Sequence, residues 1–249
     1  MARPRDERLV ITCEHGGNRV PRNYASVLRP LRAMLKTHRG FDPGALRLAL
    51  DLAAATGAPL DASTTTRLLV DLNRSIDHPD VFGPTTRDMP ELERKRIIAD
   101  HYQPYRSAVE RRIADLVRAG HPVMHISVHS FTPVLRGRTR KADIGLLYDP
   151  SRKRESAFVD AWAAALGLVN DAARVRRNYP YKGTSDGFTT YLRTLHADAR
   201  YAGIELEVNQ QLVRRGGAAW LRSRASIVTA LLLAIAGTAS LGAPANARG

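Results

Sequence analysis

Pro122-Val-Met-His-Ile-Ser-Val-His129 alternates with a period of two, which places His125, Ser127 and His129 on one face and Met124, Ile126 and Val128 on the other. It reads as a strand with His129 at its exit. Working outward, Pro90 to Ala119 reads as one long helix, rich in charges at i,i+3 and i,i+4 spacing. Ile144-Gly-Leu-Leu-Tyr148 reads as another strand, and so does Arg8-Leu-Val-Ile-Thr-Cys13, which stops at Glu14-His15-Gly-Gly-Asn18. Thr66-Arg-Leu-Leu-Val-Asp71 is expected to be a buried strand ending in Leu72-Asn73-Arg74. Asp42 and Pro43 suit an N-cap and first helical position, so a helix is expected from there through Leu46 and Leu52 to Gly57. Arg154 to Leu168 has helical periodicity, Asn178-Tyr-Pro-Tyr-Lys-Gly183 is a turn-rich loop, and Ile204-Glu-Leu-Glu-Val208 alternates as a strand with Glu205 and Glu207 on one face. Strands alternating with helices predict an α/β fold, its mostly parallel or mixed sheet covered by helices on both faces. Ligands collect at the carboxyl ends of strands in such sheets, where His15, Asn73, Arg74, His129, Glu205 and Glu207 fall.

With 249 residues and 44% hydrophobic content the chain can bury a proper core, and one domain is expected over residues 1–241, with 242–249 a disordered tail. A net charge of +14 raises nucleic acid or an anionic membrane as partners. The basic residues are dispersed, however, with only short runs at 136–141 and 174–177, so neither partner is expected. Lone Cys13 excludes an internal disulfide and fits a reducing compartment; placed inside an apolar strand, it is a poor nucleophile. The N-terminus shows no apolar h-region, and the apolar run from Ala225 to Leu241 is short of the roughly 20 residues of a spanning helix. These features together predict a cytoplasmic protein with a C-terminal packing helix.

Two imidazoles at the ends of different strands, His15 and His129, can supply two ligands to zinc and leave room for an acid and a water. Asn18, Asp42 and Glu14 are each placed to be the third ligand; Asp42 offers the hardest oxygen, Asn18 a weak neutral one, and Glu14 should point opposite to His15. Gly16 and Gly17 would let backbone approach an ion or substrate. Asn73 with Arg74 is a natural clamp for a carboxylate, and Arg67 could supply charge to an oxyanion. A carboxylate from Glu207 or Glu205 can act as general base, and Tyr181 can close over a substrate. No nucleophile elbow, P-loop, dinucleotide fingerprint or zinc-finger spacing is present.

These residues carry a resemblance. Cys13-Glu-His-Gly-Gly-Asn-Arg-Val-Pro21, Asp42-Pro-Gly-Ala45, Thr66 to Arg74, His129-Ser-Phe-Thr132, Asn178-Tyr-Pro-Tyr181 and Glu207-Val-Asn-Gln210 resemble the N-formylglutamate amidohydrolase family, itself distantly related to zinc carboxypeptidases. The resemblance spans roughly residues 8–213. It implies a three-layer α/β/α sandwich, zinc carboxypeptidase-like (phosphorylase/hydrolase-like), and one zinc ion that activates water. It also implies His15 and His129 as ligands, Asn73 and Arg74 as holders of the substrate carboxylate, and Glu207 as the base. Where carboxypeptidases carry a ligating Glu three residues after the first His, Asn18 stands here, so the third ligand is expected to be Asp42.

The expected activity is hydrolysis of a small anionic N-acyl amino acid such as N-formylglutamate to carboxylic acid and free amino acid. Hydrolysis of a peptide or γ-glutamyl amide is the alternative. A basic, anion-binding protein with a vestigial site is the alternative of another class.

Overall fold

The computed structural model describes residues 7–240. β1 (Arg8–Cys13), the short α1 (Ala25–Leu28), α2 (Ala45–Thr56) and β2 (Leu60–Ala62) come first. α3 (Glu91–Ile97) passes through a π turn at Ile98–Tyr102 into α4 (Gln103–Arg118), followed by β3 (Val123–Phe131), the hairpin of β4 (Val134–Leu135) and β5 (Arg138–Thr139), and β6 (Ile144–Leu147). α5 (Lys153–Val169), β7 (Val175–Arg177), α6 (Phe188–Leu195), β8 (Tyr201–Asn209), α7 (Gln210–Arg214) and α8 (Gly217–Ser240) complete the order.

The main sheet has the order β2-β1-β3-β8-β6-β7, parallel throughout except where β6 meets β8. Helices cover both faces, so the fold is α/β in three layers. Met124, Ile126 and Val128 pack with Ile204 and Leu206 beneath α2, α5 and α8, through Leu48, Trp162 and Leu231 among others. The opposite face, with Val10, Val123 and Tyr201, is closed at its lower end by Val109 and Ile113 of α4 and Phe188 and Leu192 of α6. Here His125 is fully buried between Thr12 Oγ1 and Tyr201 OH, each 2.8 Å away. Burial pushes its pKa down to about 4, so it is a neutral structural imidazole.

Three expectations require correction. Residues 66–71 form a buried turn, not a strand: Thr66, Arg67 and Asp71 send their N–H groups to Arg19, Gly40 and Val81 carbonyls in other loops. Leu68, Leu69 and Val70 are buried because they join a separate cluster with Tyr24 and Ile97. An apolar run shows burial without showing a ladder. The helix expected from Asp42 begins at Ala45, with Gly44 as its N-cap at φ 83°, so Asp42 caps nothing. The short β2 and β7 lie where no strand was expected.

The C-terminal apolar run belongs to α8, which starts at Gly217 and, over Gly217–Gly237, is long and apolar enough by length and composition to cross a membrane. Ile227, Ala230, Leu231 and Ala234 of that helix are buried in the core formed with α2 and α5. The tail expected at 242–249 lies outside the described residues. Because Ile126 is fully buried at the centre of the sheet, Ile126→Ala should lower unfolding free energy by about 2–5 kcal/mol. Denaturant titration measures this, and a loss under about 0.5 kcal/mol would contradict the packing described.

Candidate functional site

β3 and β8 pair in parallel with His129 opposite Glu207 and Ser127 opposite Glu205. A period of two then puts all four side chains on one face, at the carboxyl ends of the strands. β1 lies on the other side of β3 and delivers His15 just past its own carboxyl end. Above these ends opens a cleft of about 370 Å³ whose lining includes His15, Asp42, Arg67, His129 and Glu207.

Hydrogen bonds determine which nitrogen each imidazole presents. Ser127 Oγ donates to Glu14 Oε2 at 2.6 Å, so its remaining capacity accepts from His129 Nε2 at 2.8 Å. The Nδ1 lone pair of a neutral His129 is thereby free, and Nδ1 lies 3.0 Å from Asp42 Oδ2. His15 is set the same way: Nε2 donates to Asp71 Oδ1 at 2.8 Å. Its buried Nδ1 has no hydrogen-bond partner and sits 3.4 Å from the same Asp42 oxygen. The three ligand atoms lie within 4.8 Å of one another. Bonds of 2.0–2.1 Å in a tetrahedron separate ligand atoms by about 3.3 Å, so the two nitrogens and the carboxylate fit a small divalent cation. Each imidazole also has the buried oxygen partner on its far nitrogen that metal-ligating histidines use.

The other expected residues surround this triad. Arg67 binds Asp71 Oδ2 through Nε at 3.0 Å and Nη2 at 2.6 Å, and its Nη1 lies 3.4 Å from Asp42 Oδ1. Asn73 Nδ2 is 3.4 Å from His129 Nε2, and its Oδ1 accepts from Phe188 N at 2.6 Å. Gly187 permits that approach, since a Cβ there would stand 2.9 Å from Glu205 Oε1 and 3.3 Å from Asn73 Oδ1. Arg74 lines the cleft and donates to Asp186 O at 2.8 Å. Buried Arg106 stacks over Phe188 and Tyr191 and donates to the carbonyls of Leu72 and Arg74, which holds the Asn73–Arg74 turn in place. Glu207 is buried beside the triad with Oε2 unpartnered, and burial pushes its pKa up to about 8, His129 opposing and Asp42 reinforcing. Glu205 faces the same cleft but accepts from Thr189 Oγ1 at 2.8 Å. Tyr181, 45% exposed, stands at the cleft wall with its OH accepting from Arg140 at 3.1 Å. Its loop crosses β6 at Gly145, where a Cβ would overlap the Tyr179 carbonyl.

The structure groups Asp42, rather than Asn18 or Glu14, with His15 and His129. Asn18 is exposed and donates to Leu35 O. Glu14 points away from His15 and serves Ser127 and Tyr105 beneath His129. Gly16 and Gly17 admit the carbonyls of Ser63 and Thr64 rather than a ligand. The hold of Asp71 on His15, and that of Ser127 and Glu14 on His129, were not revealed by residue patterns, which offered Glu14 only as a ligand. The one available signal was an acid, Asp71, inside the apolar run Leu68-Leu-Val-Asp-Leu72.

The N-formylglutamate amidohydrolase family profile matches residues 7–214. A solved gene product of Agrobacterium tumefaciens is 27% identical over 92% of this chain and 90% of its own, with a TM-score of 0.79. The N-formylglutamate amidohydrolase of Ralstonia eutropha JMP134 is 23% identical over 95% of both chains, TM-score 0.67, a likeness of fold. No curated protein matches the sequence significantly.

Burial by itself would raise the carboxyls of Glu14, Asp42 and Asp71, yet His129, His15 and Arg67 hold all three below the usual range. Acids with depressed folded values stabilise the protein above their unfolded pKa, near 4, and lose that contribution as pH falls. Unfolding free energy in chelator should therefore decline below about pH 4, and Asp71→Asn should flatten the decline while lowering stability at neutral pH. Denaturant titrations from pH 6 to pH 3 decide it; parallel profiles for the two proteins would refute the assignment.

Proposed function

From the chain's family as premise, for it belongs to the N-formylglutamate amidohydrolase family of hydrolases, we propose a metal-dependent amidohydrolase cleaving the amide of a small anionic N-acyl amino acid, N-formylglutamate-like. One ion, zinc, would be held by His15, Asp42 and His129. The observation that carries this reading is the convergence of the Nδ1 atoms of two imidazoles on one carboxylate oxygen, with a buried Glu207 whose Oε2 has no partner alongside. Mixed nitrogen and oxygen donors suit zinc.

When bound, zinc supplies a Lewis acid that polarises the amide carbonyl and makes water easier to deprotonate. Glu207 accepts a proton from the attacking water and returns it to the leaving nitrogen as the C–N bond breaks, giving a carboxylic acid and a free amino acid. Burial supports this role by making the Glu207 carboxylate a stronger base than an exposed one. Arg67 offers positive charge to the developing oxyanion from its fixed seat on Asp71. Asn73 and Arg74 take the substrate carboxylate, anchored from behind by Arg106. Tyr181 and Lys182 stand at the wall of the cleft, where Tyr181 covers the substrate and Lys182 adds charge that favours an anion.

Protein purified without chelator should contain about one zinc per chain by elemental analysis, and chelation should abolish hydrolysis of N-formyl- and N-acetylglutamate until zinc is returned. Metal-free protein that retains full activity would end the proposal. With metal content preserved, Glu207→Gln should lower kcat by roughly 10²–10⁴-fold. Arg74→Ala should act mainly on KM, the signature of lost ground-state binding.

A further inference from the structure

Beyond the cleft lies a second depression of about 740 Å³, lined by Met34, Phe41, Pro43 and Val213 together with the side chains of Lys36, Arg39 and Arg214. Its volume is that of a ligand pocket, roughly 300–1,000 Å³. One of its lining residues stands next to a member of the triad, and another bonds the neighbour of a second. Pro43 follows Asp42, and Ser130, which follows His129 and lines the cleft, accepts from Gln210, which lines the groove. His38 lines both spaces. The side on which it lies is informative. Asp42 approaches the Nδ1 end of the His129 ring, and Asn73 stands at the Nε2 end. Asn73 of the carboxylate clamp and Asp42, whose neighbour Pro43 lines the apolar groove, thus meet opposite nitrogens of the His129 ring.

A substrate whose carboxylate rests on Asn73 and Arg74 and whose amide carbon lies at the triad sends its amino-acid half toward the clamp and its acyl half away from it. Resting on the function proposed above, we infer that the groove is the acyl subsite and that the preferred substrates are N-acyl amino acids with aliphatic acyl chains of several carbons. A formyl group is too short to use the groove. Each methylene removed from water into such a surface is worth up to about a fourfold gain in binding. The mixed character of the site, one fixed cationic clamp and one apolar trough, matches an amphiphilic acid better than a dianionic peptide.

The test compares N-formyl-, N-acetyl- and N-octanoylglutamate, the last kept below its micelle concentration, with zinc-loaded protein, and measures binding of the same compounds to metal-free protein by calorimetry. We expect kcat/KM for the octanoyl compound to exceed that for the formyl compound at least tenfold, with the same order in binding. Met34→Glu should cut the octanoyl-to-formyl ratio at least tenfold and Met34→Leu should restore it, which separates a subsite role from a loss of folding. Hydrolysis of the formyl compound with no gain for octanoyl overturns the inference and leaves the proposed function standing. If nothing is hydrolysed, tighter octanoyl binding that Met34→Glu removes still upholds the groove as an acyl site, and equal binding of the three compounds overturns it.

Discussion

The in-register pairing of β3 with β8 is the constraint on which the rest depends. His129 lies opposite Glu207 and Ser127 opposite Glu205, so one ladder fixes an imidazole, a buried carboxyl and the hydroxyl that orients the imidazole. A slip of one residue would turn these groups into the layer occupied by Ile126 and Leu206, where no partner for them exists. The hydrophobic pattern that builds the core therefore also fixes the chemistry. Every other contribution, from β1, from the turn at 66–74 and from the start of α6, is delivered to this pair.

Electrostatics explains why such a polar cluster tolerates burial. Carboxylates from Glu14, Asp42 and Asp71 enclose two imidazoles, and Arg67 balances part of the excess through Asp71 and Asp42. Burial opposes a charged His129, yet Asp42 and Glu14 raise its pKa well above the ordinary value. A proton on this imidazole is therefore the natural competitor of a cation bound between His15, Asp42 and His129. Shared partners offset part of the cost of burying these charges: Asp71 alone serves His15, Arg67 and the Asn73 backbone.

What could be read in the residues follows periodicity and its absence. The strands around Val10, Ile126 and Ile204 and the helices at 91–118 and 153–169 announce themselves by alternation or by a 3.6-residue repeat, and the two histidines at strand ends follow from them. Residues 66–71 read as a strand although their burial comes from a loop cluster with Tyr24 and Ile97, because nothing local distinguishes that from a sheet. Asp42 resembled a helix cap because Asp before Pro has that chemistry locally, while its true partners, His15 and His129, lie far away in sequence. Glu14 and Ser127 were legible as residues on faces. Their joint hold on His129 depends on a hydroxyl rotor that only the assembled sheet defines.

Gly145 pairs with Glu207 across β6 and β8, yet it does not itself line the cleft. The segment carrying Tyr179 and Tyr181 lies flat across β6 there, with the Tyr179 carbonyl in the space a side chain would fill. Its height over the sheet sets where Tyr181 meets the cleft wall. In evolutionary terms the position is a lever. One methyl group placed beneath the crossing would push this segment, and the wall of the cleft it carries, outward while every residue lining the cleft stayed the same.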